Sequence, residues 1–461
     1  MSSEVCPETG KITFSEALRV WVRIAALSFG GPSGQIAVMH RILVEEKRWL
    51  SEERFLHALN YCMLLPGPEA QQLVTYTGWL LFKIRGGLIA GSLFVLPGFL
   101  SILVMSFIYT TWQHVPAVEG LFYGLKAAVL AVVIEALIRI GKRALKTRMM
   151  LVIAGFAFLA IFVLRIPFPA IILTAGVLGW LGGKIWPAQF HPPAPKKSAQ
   201  QDFGEGLLDR QISSDPYFQP NLMRAVRIFI VSAFLWVLPF ACLVPWLGWD
   251  HVLVQQELFF SRAALVTFGG AYAVLPYVAQ QAVERYHWLT AGEMLDGLGL
   301  AETTPGPLIQ VVQFVAYLGA VRNPAPFSPL MAALLASFLT TWATYVPCFL
   351  YIFTGAPYVE ALRKNKSWSA ALTCITAAVV GVVLNLALWF ALRTLFGQVH
   401  DLNWGMVQIT VPDVRTLDPW MLVLMLGAAY AMLWRHVGMI PTLLVSSLLG
   451  LLFRGLLVRF F

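Results

Sequence analysis

LLPGPEAQQ, Leu64 to Gln72, sets two prolines and a glycine into an apolar run and follows them with a carboxylate and two amides. TTPGPLIQ, Thr303 to Gln310, repeats that punctuation in similar surroundings. Proline removes a backbone donor and displaces the carbonyl one turn back, so each PGP ends one helix and starts another. The new helix begins with unpaired N–H groups and the positive end of its dipole. At membrane depth such a break is tolerated only where protein or a water-filled cavity surrounds it.

The chain around these breaks has the composition of a membrane protein. Hydrophobic residues make up 58% of its 461 residues, charged residues 12%, and mean hydropathy is +0.71. Apolar runs of about 20 residues, enough to cross a bilayer as helix, recur, as at Leu88–Ser106 and Ala370–Leu392. The period-two alternation of an outer-membrane barrel is absent. An all-α polytopic membrane protein is expected. The net charge of +9 is then explained by basic cytoplasmic loops, and nucleic acid is not an expected partner. Cys6, Cys62, Cys242, Cys348 and Cys374 are scattered without a CxxC pair, which argues against a disulfide framework or zinc site. HExxH and GxxxxGK[ST] are absent too, so no metal and no cofactor are expected. The N-terminus lacks the pattern of a cleaved signal peptide.

The chain also repeats itself. Shifted by 239 residues, Ser28–Pro68 aligns without a gap on Thr267–Pro307, with 12 of 41 positions identical, including both FGG and both PGP triplets. Beyond the RNPAPFSPL insertion the offset becomes 250, and Pro97 meets Pro347. Basic residues switch sides between the copies. Arg41, Lys47, Arg48 and Arg54 face a counterpart with only Arg285, and residues 139–148 carry five cations against Arg393 alone. The loop 109–120 has none, whereas its counterpart holds Arg363, Lys364 and Lys366. Because cytoplasmic loops collect Lys and Arg, this predicts two inverted-topology repeats. The expected organisation is a first repeat at 12–186, a polar cytoplasmic linker at 187–220, a connecting transmembrane helix at 221–250 and a second repeat at 251–461. Each repeat would hold broken, re-entrant helical hairpins at FGG and PGP followed by four spans, near 88–108, 121–140, 149–164 and 168–186 in the first. A second arrangement makes some hairpin arms full spans. Gly397–Asp418 reads as a further linker.

Helix starts of this kind bind anions, and in inverted-repeat transporters they point at the substrate. The substrate-binding candidates at the FGG breaks are Ser28, Gly30, Gly31, Ser33 and Gln35, with Thr267, Gly269 and Gly270 in the second copy, where Tyr272 adds a hydroxyl. At the PGP breaks they are Pro66, Gly67, Pro68, Gln71 and Gln72, with Thr303, Thr304, Pro305, Gly306, Pro307 and Gln310. Lys126, inside an apolar run, either attracts an anion or snorkels to water. Glu69 and Glu302 beside the breaks are candidates for proton coupling, or else helix caps or vestibule residues. Glu135 is a third proton-coupling candidate, aligned with Asn385. Trp49 and Trp288 read as interfacial anchors, and His57 and Asp296 as solvated hairpin mouths. GPSG, Gly31–Gly34, matches the short pattern of an intramembrane serine protease, with His436 as its base. FGG is the frame that repeats and the serine is not, so an enzyme is not expected.

SFGGP…QI, EEKRWL…RFLHALNYCMLLPGPEAQQL and FGG.YAVLPYV…WL…MLDGLGLAETTPGPLIQ resemble the two-domain form of the chromate ion transporter family over about residues 12–458. The resemblance implies a multi-pass protein of the bacterial inner membrane that exports chromate by alternating access, with proton coupling and chromate resistance as its corollaries. The second copy departs from the pattern in reading FGGA. The implied partners are chromate, sulfate as a competing analogue, the lipid bilayer and a second copy in a homodimer. Export or exchange of another oxyanion, flipping of an anionic lipid, and intramembrane hydrolysis are the competing readings.

Overall fold

A computed structural model of the chain describes residues 12–29, 31–190, 215–358, 366–404 and 407–460. It is almost wholly helical. The first repeat runs α1 (Phe14–Leu27), α2 (Gly31–His40), α3 (Glu52–Cys62), α4 (Glu69–Trp112), α5 (Pro116–Ala144), α6 (Arg148–Phe162) and α7 (Phe168–Ile185). The connecting helix is α8 (Leu222–Leu247). The second repeat follows with α9 (Val252–Val266), α10 (Ala271–Gln280), α11 (Ala291–Thr303), α12 (Val311–Arg322), α13 (Pro329–Gly355), α14 (Lys366–Leu395), α15 (Pro419–Leu433) and α16 (Met439–Phe460). The orders match once α4 is divided, and α4 divides itself. Phe82 and Lys83 leave helical backbone, Lys83 at φ 57°, so 69–81 and 84–112 are separate arms with different partners.

Among the described residues six helices are long and apolar enough to cross a bilayer: α4, α5, α7, α8, α13 with its terminal turn, and α14. The protein is an all-α polytopic membrane protein. The arms that meet at FGG and PGP are shorter. α1 has 14 residues, α3 has 11 and α12 has 12, against about 20 needed to span.

Local detail repeats as faithfully as the order. Both α2 and α10 end in a π-helical turn, at Arg41–Glu46 and Gln281–Arg285, and Arg48 and His287 then take φ of 51° and 53°. The following Trp49 N–H donates to the Leu43 carbonyl at 2.9 Å and Trp288 N–H to that of Ala282 at 2.8 Å. The next helices are capped at equivalent places, α3 by the Ser51 hydroxyl and α11 by that of Thr290 in a capping box with Glu293. Trp49 and Trp288 are not interfacial anchors: both rings are buried, Trp288 stacked on Tyr286 at 4.5 Å. They wedge the hairpins from inside.

The long helices exchange partners between repeats. α5 packs on α15 and α16, while α14 packs on α6 and α7. Small residues allow this closeness, as at Gly124, where the Ser446 hydroxyl donates to the carbonyl oxygen at 2.8 Å. Gly397–Asp418 is more than a linker. Val399–Trp404 and Val407–Pro412 pair as an antiparallel hairpin, Val399 opposite Pro412, and Gln408 N–H donates to the Val163 carbonyl at 2.9 Å. Its alternation of Val, Ile and Thr with polar residues is a strand pattern hidden by brevity. Lys364 and Arg363, used above for the charge bias, lie outside the described residues, as does most of the 187–220 linker.

Close backbone approach makes one substitution diagnostic. Gly306 has φ 99°, and a Cβ there would lie 3.1 Å from Gly98 Cα and 3.2 Å from its nitrogen. Gly306→Ala combines left-handed strain with a clash against backbone, and should lower stability by about 2 to 4 kcal/mol. Gly155→Ala, on open surface, should leave it unchanged. Thermal unfolding in detergent compares the two, and equal melting temperatures would contradict the packing described.

Candidate functional site

The two breaks of each repeat do not close on themselves. Gly67 N–H, in the first PGP, donates to the carbonyl of Thr267, which precedes the second FGG, at 2.7 Å. Gly306 N–H, in the second PGP, donates to the carbonyl of Ser28, which precedes the first, at 2.9 Å. These are the same bond twice, exchanged between repeats. The geometry needs glycine, since Gly67 has φ 122° and Gly306 φ 99°. Ser28 and Thr267 turn their hydroxyls back onto the Ile24 and Ala263 carbonyls, both at 2.6 Å, which leaves their own carbonyls for the crossing. Gln35 Nε2 donates to the Gly306 carbonyl at 2.6 Å.

Each crossing rests against the opposite repeat's long helix, one residue past its proline. A Cβ on Gly98, after Pro97, would lie 2.9 Å from the Pro305 oxygen; one on Gly67 would lie 2.8 Å from the sulfur of Cys348, after Pro347. Gly31, Gly67 and Pro68 are buried and Pro66 is half-buried. Pro307 precedes the turn that opens α12, and Gly269 and Gly270 lead into α10 with φ of 81° and 89°. Gly30 and the side chain of Ser33 lie outside the described residues.

The side chains around this frame differ between the copies. At the first PGP, Gln71 donates to Thr75 Oγ1 at 3.1 Å and Gln72 to the Pro66 carbonyl at 2.7 Å. The Oε1 atoms of Gln35, Gln71 and Gln72 are buried without a partner. Buried polar atoms are rarely left so, and an amide turned over would present two N–H donors instead. At the second PGP the amides are already engaged. Gln310 donates to Gln313 Oε1 at 2.6 Å and Thr341 Oγ1 at 3.1 Å and accepts from the Tyr345 hydroxyl at 2.8 Å, while Gln313 donates to the Phe99 carbonyl at 3.1 Å. Thr303 and Thr304 spend their hydroxyls on the Leu300 and Ala301 carbonyls.

Charge separates the halves further. Glu69 opens the second arm of the first PGP hairpin, and the equivalent residue is Leu308. Its Oε1 lies 3.5 Å from where a Cβ on Gly270 would sit, so this carboxylate rests against the start of α10 as well as that of its own helix. Such a carboxylate occupies the place that favours an anion. Nearby, Tyr272 in the first turn of α10 donates a short hydrogen bond to Glu302. Glu135 pairs with Arg139 at 3.3 Å, and both act electrostatically on Glu302 as Arg143 does on Glu69. The structure thus groups Glu69, Glu302 and Glu135 on one side, with Tyr272 and two arginines that the sequence did not single out.

Lys126 and Asp296 correct the earlier readings. Asp296 is 1% exposed, not a solvated mouth, and its Oδ2 lies 3.2 Å from Lys126 Nζ and accepts from the Tyr109 hydroxyl at 2.8 Å. Lys126 is therefore engaged across the repeats by a buried carboxylate. His436 is exposed in the turn between α15 and α16, whereas Gly31 is buried, which leaves the protease pattern without its base.

The chromate transporter family matches residues 15–180 and 254–451, a segment in each repeat. A chromate transport protein of Pseudomonas aeruginosa is 29% identical over 449 residues, 95% of this chain and 92% of that protein. One of Cupriavidus metallidurans is 27% identical over 384 residues, 83% and 84% of the two chains. YwrA, an uncharacterized transporter of Bacillus subtilis, is 27% identical over 164 residues, 35% of this chain but 90% of its own length, close to one repeat. No solved structure matches.

The buried ion pair offers a direct test. Lys126→Ala leaves the buried Asp296 carboxylate without its counter-charge, the Tyr109 hydroxyl remaining, and should cost about 3 to 5 kcal/mol. Adding Asp296→Asn should recover most of it. Chemical or thermal unfolding of the single and double variants measures the difference, and additive losses would mean that the two groups do not interact.

Proposed function

The chain belongs to the chromate transporter family, and on that premise we propose that it exports chromate from the cytoplasm across the bacterial inner membrane by alternating access to the crossed helix breaks. The observation that carries this reading is the reciprocal exchange of Gly67 and Gly306 N–H groups between the repeats. It draws the starts of α2, α10, α12 and the 69–81 arm toward one buried centre. Chromate is a tetrahedral dianion, and helix starts, hydroxyls and amide N–H groups suit it without a fixed counter-charge. The six long helices and the relatives named as chromate transport proteins support transport rather than enzymatic chemistry.

Within this reading the charge switch at three pairs of equivalent loops places the repeats upside down relative to one another, with the short arms re-entrant. Residues assigned to the outer face meet in space. Arg454 pairs with Glu119, Gln408 with Val163, and Tyr123 with Asp418 at 2.7 Å. Alternating access then amounts to rocking about the crossing, whose bonds are equivalent from either side.

Glu69 supplies coupling. Its carboxylate holds the helix-start position that the dianion needs, and like charges there exclude one another. Chromate enters when Glu69 is neutralised by a proton or swings away, and Glu302 with Tyr272 relays that proton. Because the interior is negative, expelling a dianion already gains roughly 2.3 kcal/mol per charge per 100 mV; the proton sets timing as much as drive. Sulfate, of the same shape and charge, competes.

Two experiments test this reading. In everted vesicles, labelled chromate should accumulate and sulfate should compete, Pro68→Ala and Pro307→Ala should each abolish uptake with normal membrane expression, and Glu69→Gln should remove its response to an imposed pH gradient. Uptake surviving both proline changes would overturn the site. Single cysteines at His114 and His436, both exposed, should label from opposite faces of the membrane. Labelling from one face would overturn the inversion.

A further inference from the structure

α8 touches the bundle along one line only. It packs on α13 and the start of α9, and no residue of its most apolar stretch is fully buried. Two indoles fix its distance from α13 reciprocally, Trp236 Nε1 donating to the Ala343 carbonyl at 3.1 Å and Trp342 Nε1 to that of Leu235 at 2.9 Å. On the other side α8 stands off from the 84–112 arm, and the gap is a groove of about 870 Å³ floored by α13. From Ile84 to Phe99 it runs roughly 20 Å at 1.5 Å per residue, somewhat more than one leaflet of a hydrocarbon core about 30 Å thick.

Between its two ends the walls are apolar apart from the small hydroxyls of Ser92 and Ser232. At the end from which the polar linker departs, Arg224 and Arg227 line the groove three residues apart on one helix face. Tyr217 lies beneath, with Arg224 4.5 Å from its ring centroid and Lys83 Nζ also at 4.5 Å. Lys83 is engaged by Asp215 at 3.3 Å, and the Tyr217 backbone N–H, with Lys83, holds the Asp215 carboxyl below the usual range. The two arginines remain as the charge facing the groove. At the far end Thr341 and Tyr345 reach the wall with their other sides bonded to Gln310 at the second PGP.

We propose that this groove holds one anionic phospholipid of the linker-side leaflet, its phosphate between Arg224 and Arg227 and its acyl chains laid along the 84–112 arm and α13. Basic pockets between membrane helices at headgroup level recognise such lipids, and each cation there contributes about 1 kcal/mol. The substrate is excluded as occupant, because a hydrated dianion gains nothing from apolar walls of this length. A protein segment is disfavoured by the wall chemistry, since the few hydroxyls among the apolar lining are too sparse to meet the row of backbone polar groups it would bring. The lipid tails end against the Thr341–Tyr345–Gln310 contacts, so occupancy bears on the packing behind the break.

Native mass spectrometry of the full chain released from detergent, titrated with phosphatidylglycerol or phosphatidylcholine, tests the assignment. One phosphatidylglycerol should bind in preference to phosphatidylcholine and survive gentle activation. Arg224→Ala with Arg227→Ala should weaken it roughly tenfold or more. Ser92→Phe, which fills the groove and keeps both arginines, should also displace it, and a normal elution profile on size exclusion certifies that each variant is folded. Equal binding of the two lipids, retention by both variants, or displacement of the lipid by inorganic phosphate alone would each overturn the proposal.

Discussion

A peptide N–H in hydrocarbon must find an acceptor, and at the two PGP glycines that acceptor belongs to the other half of the chain. Gly67 reaches Thr267 and Gly306 reaches Ser28. An unsatisfied group at that depth would cost several kcal/mol, so neither repeat has a complete interior alone. This explains why FGG and PGP occur together in each copy. One break supplies the carbonyl and the other the N–H, and the exchange pairs each with its opposite. The swapped packing of α5 and α14 follows from the same geometry, since the long helices must flank breaks that already sit in the partner repeat.

Upon this symmetric frame the side chains are not symmetric. Glu69 stands where the second copy has Leu308, Gln35 where it has Val274, and Lys126 where it has Thr376. The backbone crossing is duplicated, but carboxylates, tyrosine and arginines gather around one break, and the linked amides of Gln310 and Gln313 with Gln35 around the other. A dianion moving between the two faces would therefore meet two chemically unlike half-sites. One is rich in carboxylates; the other in amides and hydroxyls. Directionality in a two-fold frame has to come from such differences, because identical halves would work equally well in either sense.

Much of this was legible in the residues. PGP and FGG announce breaks because proline and glycine act on their own backbone, and a gapless offset of 239 needs only counting. Helix existence was clear, while helix lengths were underestimated where an apolar run grades into polar turns, as at 84–112. The exchange of partners was not legible. Nothing in SFGG says that Ser28 will face Gly306 rather than Gly67, since both glycines sit in the same PGP triplet and the choice depends on three-dimensional closure. Asp296 looked solvated because its partners, Lys126 and Tyr109, lie some 170 residues or more earlier. Tyr345 and Thr341, which bond Gln310, stand on an apolar helix where no motif marks them. The hairpin at Val399–Pro412 was missed because six-residue strands beside long helices offer too short a period to count.

The exchanged bonds also constrain how the protein is made. A chain leaving the ribosome delivers Ser28 and Gly67 into the bilayer long before Thr267 and Gly306 exist. At roughly 5 to 20 residues per second, the 200 and 278 positions between the bonded partners take on the order of 10 to 55 seconds to translate. For that interval the first hairpins must be shielded by water, by the insertion machinery or by shallow placement. Final burial of the early half is thus a late event, triggered by the arrival of its twin.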